Sequence, residues 1–232
     1  LHGTPGSRIN WRSADGAARA SGLRLIAPDR AGCGRSDPKP NRTIIDAASD
    51  VAELTDILGI EKFLVIGLSG GGPHAAATAW KLTDRVIGAA LVSGMGPQTE
   101  PDVWRELGRG YRLNFGLIRS TPIFARVAAA VMRRSVRGET GFVMSRLAAG
   151  LPSADQRIMD DPRMKVELMA AVTESFCRGG SGAVRDLILF SRPWDFRLEE
   201  IAVPVLLWHG TEDAHTPIVM GRFVAARIPG CQ

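Results

Sequence analysis

Apolar residues follow two rhythms along the chain, and the change of rhythm divides it. Residues 23–27, 63–66, 86–92 and 203–208 are short, almost continuous apolar runs, such as Phe63-Leu64-Val65-Ile66. Runs of this length without polar alternation predict strands of a parallel sheet covered on both faces. Within residues 44–58, Ala47, Val51, Leu54 and Leu58 recur at helical spacing, and Gly59 stands where a helix stop belongs. An alanine-rich stretch ending near Leu82 predicts a second helix, and Thr216-Pro217 opens a third that reaches about Ile228. Strands alternating with helices in this way are the mark of βαβ units.

From about Pro97 to Asp195 the strand rhythm disappears. Trp104, Leu107, Tyr111, Phe115 and Ile118 lie on one helical stripe, and Thr121-Pro122 and Asp161-Pro162 read as helix starts. Met144, Met159, Met164 and Met169 read as core, with an adaptable pocket lining as the alternative. The expected organisation is a sheet-bearing core over residues 1–96, a helical cap over 97–195, and the core resumed over 196–232. Trp194 and Phe196 are expected to pack where the insert returns.

Composition narrows the function classes. The net charge of +5 comes mostly from scattered arginines; only Arg133-Arg134 stand side by side, and no basic run interleaves with aromatics. A nucleic-acid partner is therefore not expected. No apolar run approaches the roughly 18 residues of a membrane span, so no membrane partner is expected either. The three cysteines are far apart with no CxxC spacing, which favours a reducing, cytoplasmic setting. Cys33, in the glycine-rich stretch from Arg30 to Ser36, reads as a small buried loop residue. Nothing in the pattern speaks to oligomeric state.

The chemistry concentrates at Gly67-Leu68-Ser69-Gly70-Gly71, a G-x-S-x-G sequence between a predicted strand and a predicted helix. So tight a turn needs Gly67 and Gly71, because a Cβ at either place would meet the neighbouring strand or helix. It lifts the Ser69 hydroxyl clear of the sheet as a nucleophile, beside a helix N-terminus that favours negative charge. A dinucleotide site is excluded: aligned to G-x-G-x-x-G, the middle glycine is Ser69, and residues 91–94 offer no ribose-binding acid. Acyl transfer also needs two N–H donors for the oxyanion. The Gly70 amide supplies one. Leu1-His2-Gly3-Thr4-Pro5-Gly6 supplies the other, assigned to Thr4 because Pro5 has no N–H, with His2 bracing the loop.

The order HGTPG, APDRAGCGRSD, GLSGGG, helical insert, PVLLWHGTED closely resembles the α/β-hydrolase superfamily over essentially the whole chain, above all its capped bacterial serine hydrolases. The resemblance implies an α/β-hydrolase fold, a mostly parallel sheet flanked by helices with an inserted helical cap, incomplete at both termini. Relatives with an aspartate nucleophile are disfavoured by Ser69. The resemblance places the triad acid at Asp213, with Glu212 as its neighbour and Asp102 or Glu100 as substitutes. It places the base on a histidine after the last strand, beyond residue 232; His2, His74, His209 and His215 do not fill the role. His74 and Leu68 would line the pocket, and Asp29-Arg30 would brace a loop. The expected activity is cofactor-independent hydrolysis of small-molecule esters or related acyl compounds through an acyl-enzyme. Amide, lactone or carbon–carbon cleavage, or ligand binding without catalysis, are the alternatives. Residues 1–232 by themselves are expected to be inactive and aggregation-prone, with a slot between the Leu23 and Phe63 strands and a bare edge near residues 203–208.

Overall fold

The structure, a computed structural model, describes residues 1–137 and 151–232. Met144 and part of the 97–195 stretch lie outside these residues. Three parallel strands, β1 (Phe63–Leu68), β2 (Val86–Val92) and β3 (Val205–Trp208), pair in the order β1-β2-β3. Leu64 to Leu68 lie opposite Gly88 to Val92, and Ala89 to Val92 opposite Val205 to Trp208. The register shifts once, between Phe63 and Leu64, and is unbroken from there on, so all three strands end at the same edge, where a parallel sheet carries its chemistry.

Helix α1 (Asp15–Ala20) precedes the first predicted strand; α2 (Asp46–Ile57) and α3 (Gly72–Lys81) flank β1. Ala75, Ala76, Ala77 and Ala79 of α3 are buried in one core with Val65, Val86, Ala89, Leu91 and Val205. Alanine brings the helix close to the sheet, and the valines supply the apolar area, each worth roughly 1.5–3 kcal/mol when fully buried. The other face differs from the expectation of cover on both sides. Leu64 is 58% exposed, Ile87 57%, Leu206 60% and Trp208 78%, so alternate residues of all three strands meet solvent there.

Two edges also depart from expectation. Residues 23–27 form no strand: Leu23 N–H donates to Ala18 O at 2.8 Å, and among the described residues no ladder partner lies beside them. A strand is made by its neighbour, and among the described residues only Leu1 takes that place beside β1, through Leu1 N to Ile66 O and Leu68 N to Leu1 O. The outer edge of β3 is not bare, because Leu207 N donates to Gln232 O at 2.7 Å and Gln232 N to Val205 O at 3.0 Å.

Between β2 and β3 the described elements are helical: α4 (Pro101–Glu106), α5 (Arg109–Ser120), α6 (Ile123–Arg137), α7 (Ser153–Met159), α8 (Pro162–Ser175), α9 (Ser181–Phe190) and a 3-10 turn at Leu198–Glu200. The single stripe expected over 104–118 is split at Leu107-Gly108, yet it still buries Leu107, Phe115 and Ile118. Asp161 caps α8 by accepting from Arg163 N at 2.8 Å. Met159 and Met169 are half-buried and Met164 is exposed, so none of the three is core. Trp194 stacks on Phe196 at 5.3 Å where the chain returns to the sheet. The last helix, α10, spans Ile218–Arg227.

Glycine substitutions test the packing at the strand ends. A Cβ on Gly67 would lie 2.5 Å from Gly71 O and 2.7 Å from Ala75 Cβ, whereas one on Gly16 would meet nothing within 4 Å. Gly67→Ala is expected to lower stability by about 2 kcal/mol or more, as overpacking against backbone does. Gly16→Ala, inside exposed α1, is expected to be neutral or stabilising by up to about 1 kcal/mol. Urea unfolding midpoints of the two variants check the contrast.

Candidate active site

Strand β1 ends at Leu68, and the chain turns through Ser69 into a 3-10 turn over Ser69–Gly71 and then α3. Ser69 has φ +50°, in the left-handed region that costs a residue with a Cβ roughly 1–2 kcal/mol. Surrounding contacts impose the strain. Met95 N donates to Ser69 O at 3.0 Å, anchoring the elbow to the end of β2. A Cβ on Gly71 would run into Leu1 O and His2 O, and one on Gly70 would lie 2.5 Å from Thr4 Oγ1 and 3.0 Å from Phe190. The Ser69 residue itself stays half-exposed.

The HGTPG loop lies directly against this elbow: a Cβ on Gly3 would be 3.6 Å from Ser69 Cβ. Arg30 holds the loop from behind. Its guanidinium donates to His2 O, to Gly3 O at 3.1 Å and to Thr4 Oγ1 at 2.8 Å, and its N–H donates to His2 Nε2 at 3.0 Å. His2 is wholly buried with Nδ1 2.8 Å from Gly3 O; burial and Arg30 hold its pKa well below the ordinary value, so the neutral ring braces the loop. In a planar trans peptide the N–H points opposite the C=O. Carbonyls of His2 and Gly3 turned toward Arg30 therefore turn the Gly3 and Thr4 N–H groups away from it.

Behind Arg30 sits Asp186 of α9, with no solvent exposure. Its carboxylate takes Thr4 Oγ1 and Arg30 Nη2 at 2.6 Å each and pairs with Arg42; His74 Nε2 lies 3.5 Å away. Burial raises its pKa, but Arg30 and Arg42 outweigh burial and hold the carboxyl well below the ordinary range. His74 was expected to line a pocket and does not: it is entirely buried in this cluster, its pKa lowered to about 4 by burial. Two guanidiniums against one carboxylate already leave an excess positive charge, so a neutral imidazole is the form that fits. Leu68 is half-buried and borders none of the described cavities. Asp29 accepts from Arg8 N and Arg35 N at 2.6 and 3.0 Å, which ties the glycine-rich stretch to the segment after the HGTPG loop. Cys33 is buried, its thiol pushed up to about 12 by burial.

Asp213 lies in the turn after β3, its Oδ1 accepting from His215 N and Thr216 N at 2.8 Å each. Thr216 Oγ1 is 2.8 Å from Asp213 Oδ2 and 3.0 Å from Ser93 O, which joins this turn to the end of β2. The two turns carrying Ser69 and Asp213 thus sit at one edge of the sheet, their strands one strand apart, roughly 10 Å at ordinary spacing. Asp102 is 73% exposed and pairs with Arg105 on α4. Glu100 is the residue before that helix. No hydrogen bond among the described residues joins a histidine ring to Ser69: His209 Nε2 lies 2.6 Å from Thr216 O, and His215 is exposed. A cavity of about 340 Å³ opens between Arg8, Trp11, Asp15, Leu25 and Ala27, away from the elbow. Volume without a nucleophile or oriented donors carries no chemistry, and the elbow is the better-founded site.

A family profile described as alpha/beta hydrolase fold matches residues 1–231. The chain belongs to the α/β-hydrolase family. It is 34% identical over 96 residues to an epoxide hydrolase B of Mycobacterium tuberculosis, a stretch covering 40% of this chain and 27% of that protein. It is 39% identical over 108 residues to a non-heme chloroperoxidase of Streptomyces lividans, covering 44% and 39%. The chain thus spans well under half the length of these relatives. A solved thermophilic esterase from Thermogutta terrifontis superposes with a TM-score of 0.71 at 24% identity, over 100% of this chain and 77% of the other. No described helix of this α/β-hydrolase is long and apolar enough to cross a membrane.

Asp186 and Arg42 join the buried cluster although no motif in the sequence singles them out. The signal for Asp186 was a carboxylate inside Ala183-Val184-Arg185-Asp186-Leu187-Ile188-Leu189-Phe190, where every flanking position but one is apolar.

The buried cluster makes stability depend on acid. In the unfolded chain His74 takes a proton near its ordinary 6.5, but in the fold only near about 4. Stability is therefore full above the unfolded value and declines as pH falls between the two, by roughly 3 kcal/mol in all. Asp186 adds a further loss, because stability present above its unfolded value of 3.8 disappears as pH falls toward its depressed folded value. Denaturant unfolding free energies from pH 7 to 4 are expected to fall steadily, and His74→Gln should reduce that slope, leaving the part contributed by buried His2.

Proposed function

We propose that this α/β-hydrolase is a serine hydrolase of esters or related acyl compounds, with Ser69 as nucleophile. The observation that carries the reading is Ser69 itself: a half-exposed hydroxyl residue with φ +50° at a strand-to-helix turn, flanked by the HGTPG loop. The Gly70 N–H, in the first turn after the nucleophile, and the Thr4 N–H, turned away from Arg30, supply the oxyanion donors. Gly67 and Gly71 make the close approach possible.

In this reading Ser69 Oγ attacks the acyl carbon as a histidine takes its proton; the same histidine returns the proton to the leaving group, and water then releases the acid. Asp213 orients that histidine. Its support is placement at the same sheet edge as Ser69 and a carboxylate already fixed by two backbone N–H groups. Asp102 lies among solvent-facing groups of α4, and Glu100 just before it, so neither has comparable support. Among the described residues no hydrogen bond joins His2, His74, His209 or His215 to Ser69, and the reading leaves the identity of the histidine open. The described helices between residues 97 and 195 act as the cap, and the substrate is a small molecule bound without a cofactor.

In the full-length protein Ser69→Ala is expected to abolish fluorophosphonate labelling and 4-nitrophenyl ester turnover, with the melting temperature nearly unchanged. Asp213→Asn is expected to lower kcat by roughly 10⁴, the cost of a misoriented histidine. Turnover near normal in Asp213→Asn would move the acid to Asp102 or Glu100.

A further inference from the structure

We propose that Asp186 is the positioning residue of the oxyanion hole, acting through Arg30 and the Thr4 hydroxyl; this rests on the serine-hydrolase reading of the same site. The argument begins with peptide geometry. Thr4 N–H can serve an oxyanion only while the Gly3–Thr4 peptide keeps its carbonyl on the far side. That carbonyl is held there by Arg30 Nη2 at 3.1 Å and His2 Nδ1 at 2.8 Å. Arg30 in turn has its place fixed by Asp186, which takes Nη2 at 2.6 Å. The same carboxylate oxygen is 2.6 Å from Thr4 Oγ1, so one atom grips both the clamp and the clamped residue.

Asp186 reaches this point from α9, near the end of the helical stretch that precedes β3, not from the loop or the elbow. Two close approaches lock α9 in place. Gly182 N donates to Gly32 O at 3.0 Å, and a Cβ on Gly32 would lie 2.8 Å from Gly182 N. Phe190, at the end of the same helix, lies so near Gly70 that a Cβ there would be 3.0 Å from its ring. Helix α9 therefore meets both proposed oxyanion donors: Thr4 through Asp186 and Gly70 through Phe190. A second cation, Arg42, closes the remaining carboxylate oxygen and also donates to Gly182 O at 3.3 Å. Asp186 touches no reacting atom. Its contribution is to fix donors before the substrate arrives, which is where oxyanion stabilisation gains its strength.

The test uses the full-length protein and three readouts: fluorophosphonate labelling of Ser69, steady-state hydrolysis of a 4-nitrophenyl ester, and inhibition by an arylboronic acid, which forms a tetrahedral adduct with the serine. Asp186→Asn is expected to lower kcat by about 10²–10³, as loss of an oxyanion donor does, with KM changed by less than about threefold. Boronic acid affinity is expected to fall in proportion to kcat/KM, while affinity for the carboxylic acid product stays near wild type. A merely structural role would lower the amount of active protein and leave these ratios unchanged. Should Asp186→Asn fail to fold, Thr4→Val and Thr4→Ser decide, because Val removes the hydroxyl that Asp186 holds and Ser keeps it. Thr4→Val is expected to be at least tenfold slower in kcat than Thr4→Ser. A labelled wild type whose Asp186→Asn and Thr4→Val variants keep kcat and boronic acid affinity overturns the positioning role alone. A folded wild type that takes no fluorophosphonate at Ser69 overturns the hydrolase reading and this role with it.

Discussion

An ionised carboxylate shut away from water persists only where cations and hydrogen-bond donors replace the lost hydration, and Asp186 gathers its replacements from three distant stretches of chain. Thr4 comes from the first loop, Arg30 from the glycine-rich stretch and Arg42 from the approach to α2. Because all three must converge on one side chain, the loop, the stretch and α9 hold a fixed relation to one another. Removing one partner of such a buried cluster typically costs 3–5 kcal/mol, because the charges left behind remain buried and unpaired. The neighbouring imidazole of His74 is kept neutral by the same surroundings, and the thiol of Cys33 is kept protonated.

The elbow is a second constraint, set by distance rather than charge. Gly67, Gly70 and Gly71 each bring backbone or Thr4 to where a Cβ would stand. This crowding is what can hold Ser69 at φ +50°, a conformation that a free chain would abandon. Ser93, at the end of the adjacent strand, also has positive φ, at 44°, and its N–H and C=O are taken by Trp208 O and Thr216 Oγ1. Strain at the strand ends is thus stabilised by contacts that also link the turn of Ser69 to the turn of Asp213.

The proteins similar to this chain include an epoxide hydrolase and a chloroperoxidase in sequence and an esterase in fold. Membership of a family with such differently named members does not fix a reaction, which depends on the surroundings of the site. In this chain those surroundings are the HGTPG loop on one side and α9, at the end of the helical stretch, on the other.

Much of the site was legible in the sequence because its signals are local. A glycine pattern around Ser69, an apolar run before it and an alanine-rich run after it specify a tight strand-to-helix turn within about fifteen residues. The assignments of Asp213 and Thr4 rest on the order of motifs in which the chain resembles the family. Local patterns predicted a strand at residues 23–27 and cover on both faces of the sheet; the described residues form neither, because a strand and a covered face both depend on what lies beside them. The same holds for His74. Its position in the elbow helix was evident, but whether its ring met a pocket or a carboxylate depended on α9, more than a hundred residues away. Asp186 is the clearest case: the sequence by itself determined that a carboxylate interrupts an apolar helix, and only the tertiary structure decided which cations neutralise it. Burial makes an unpaired charge so costly that its partners must be supplied from wherever the fold brings them, and sequence spacing carries no record of that.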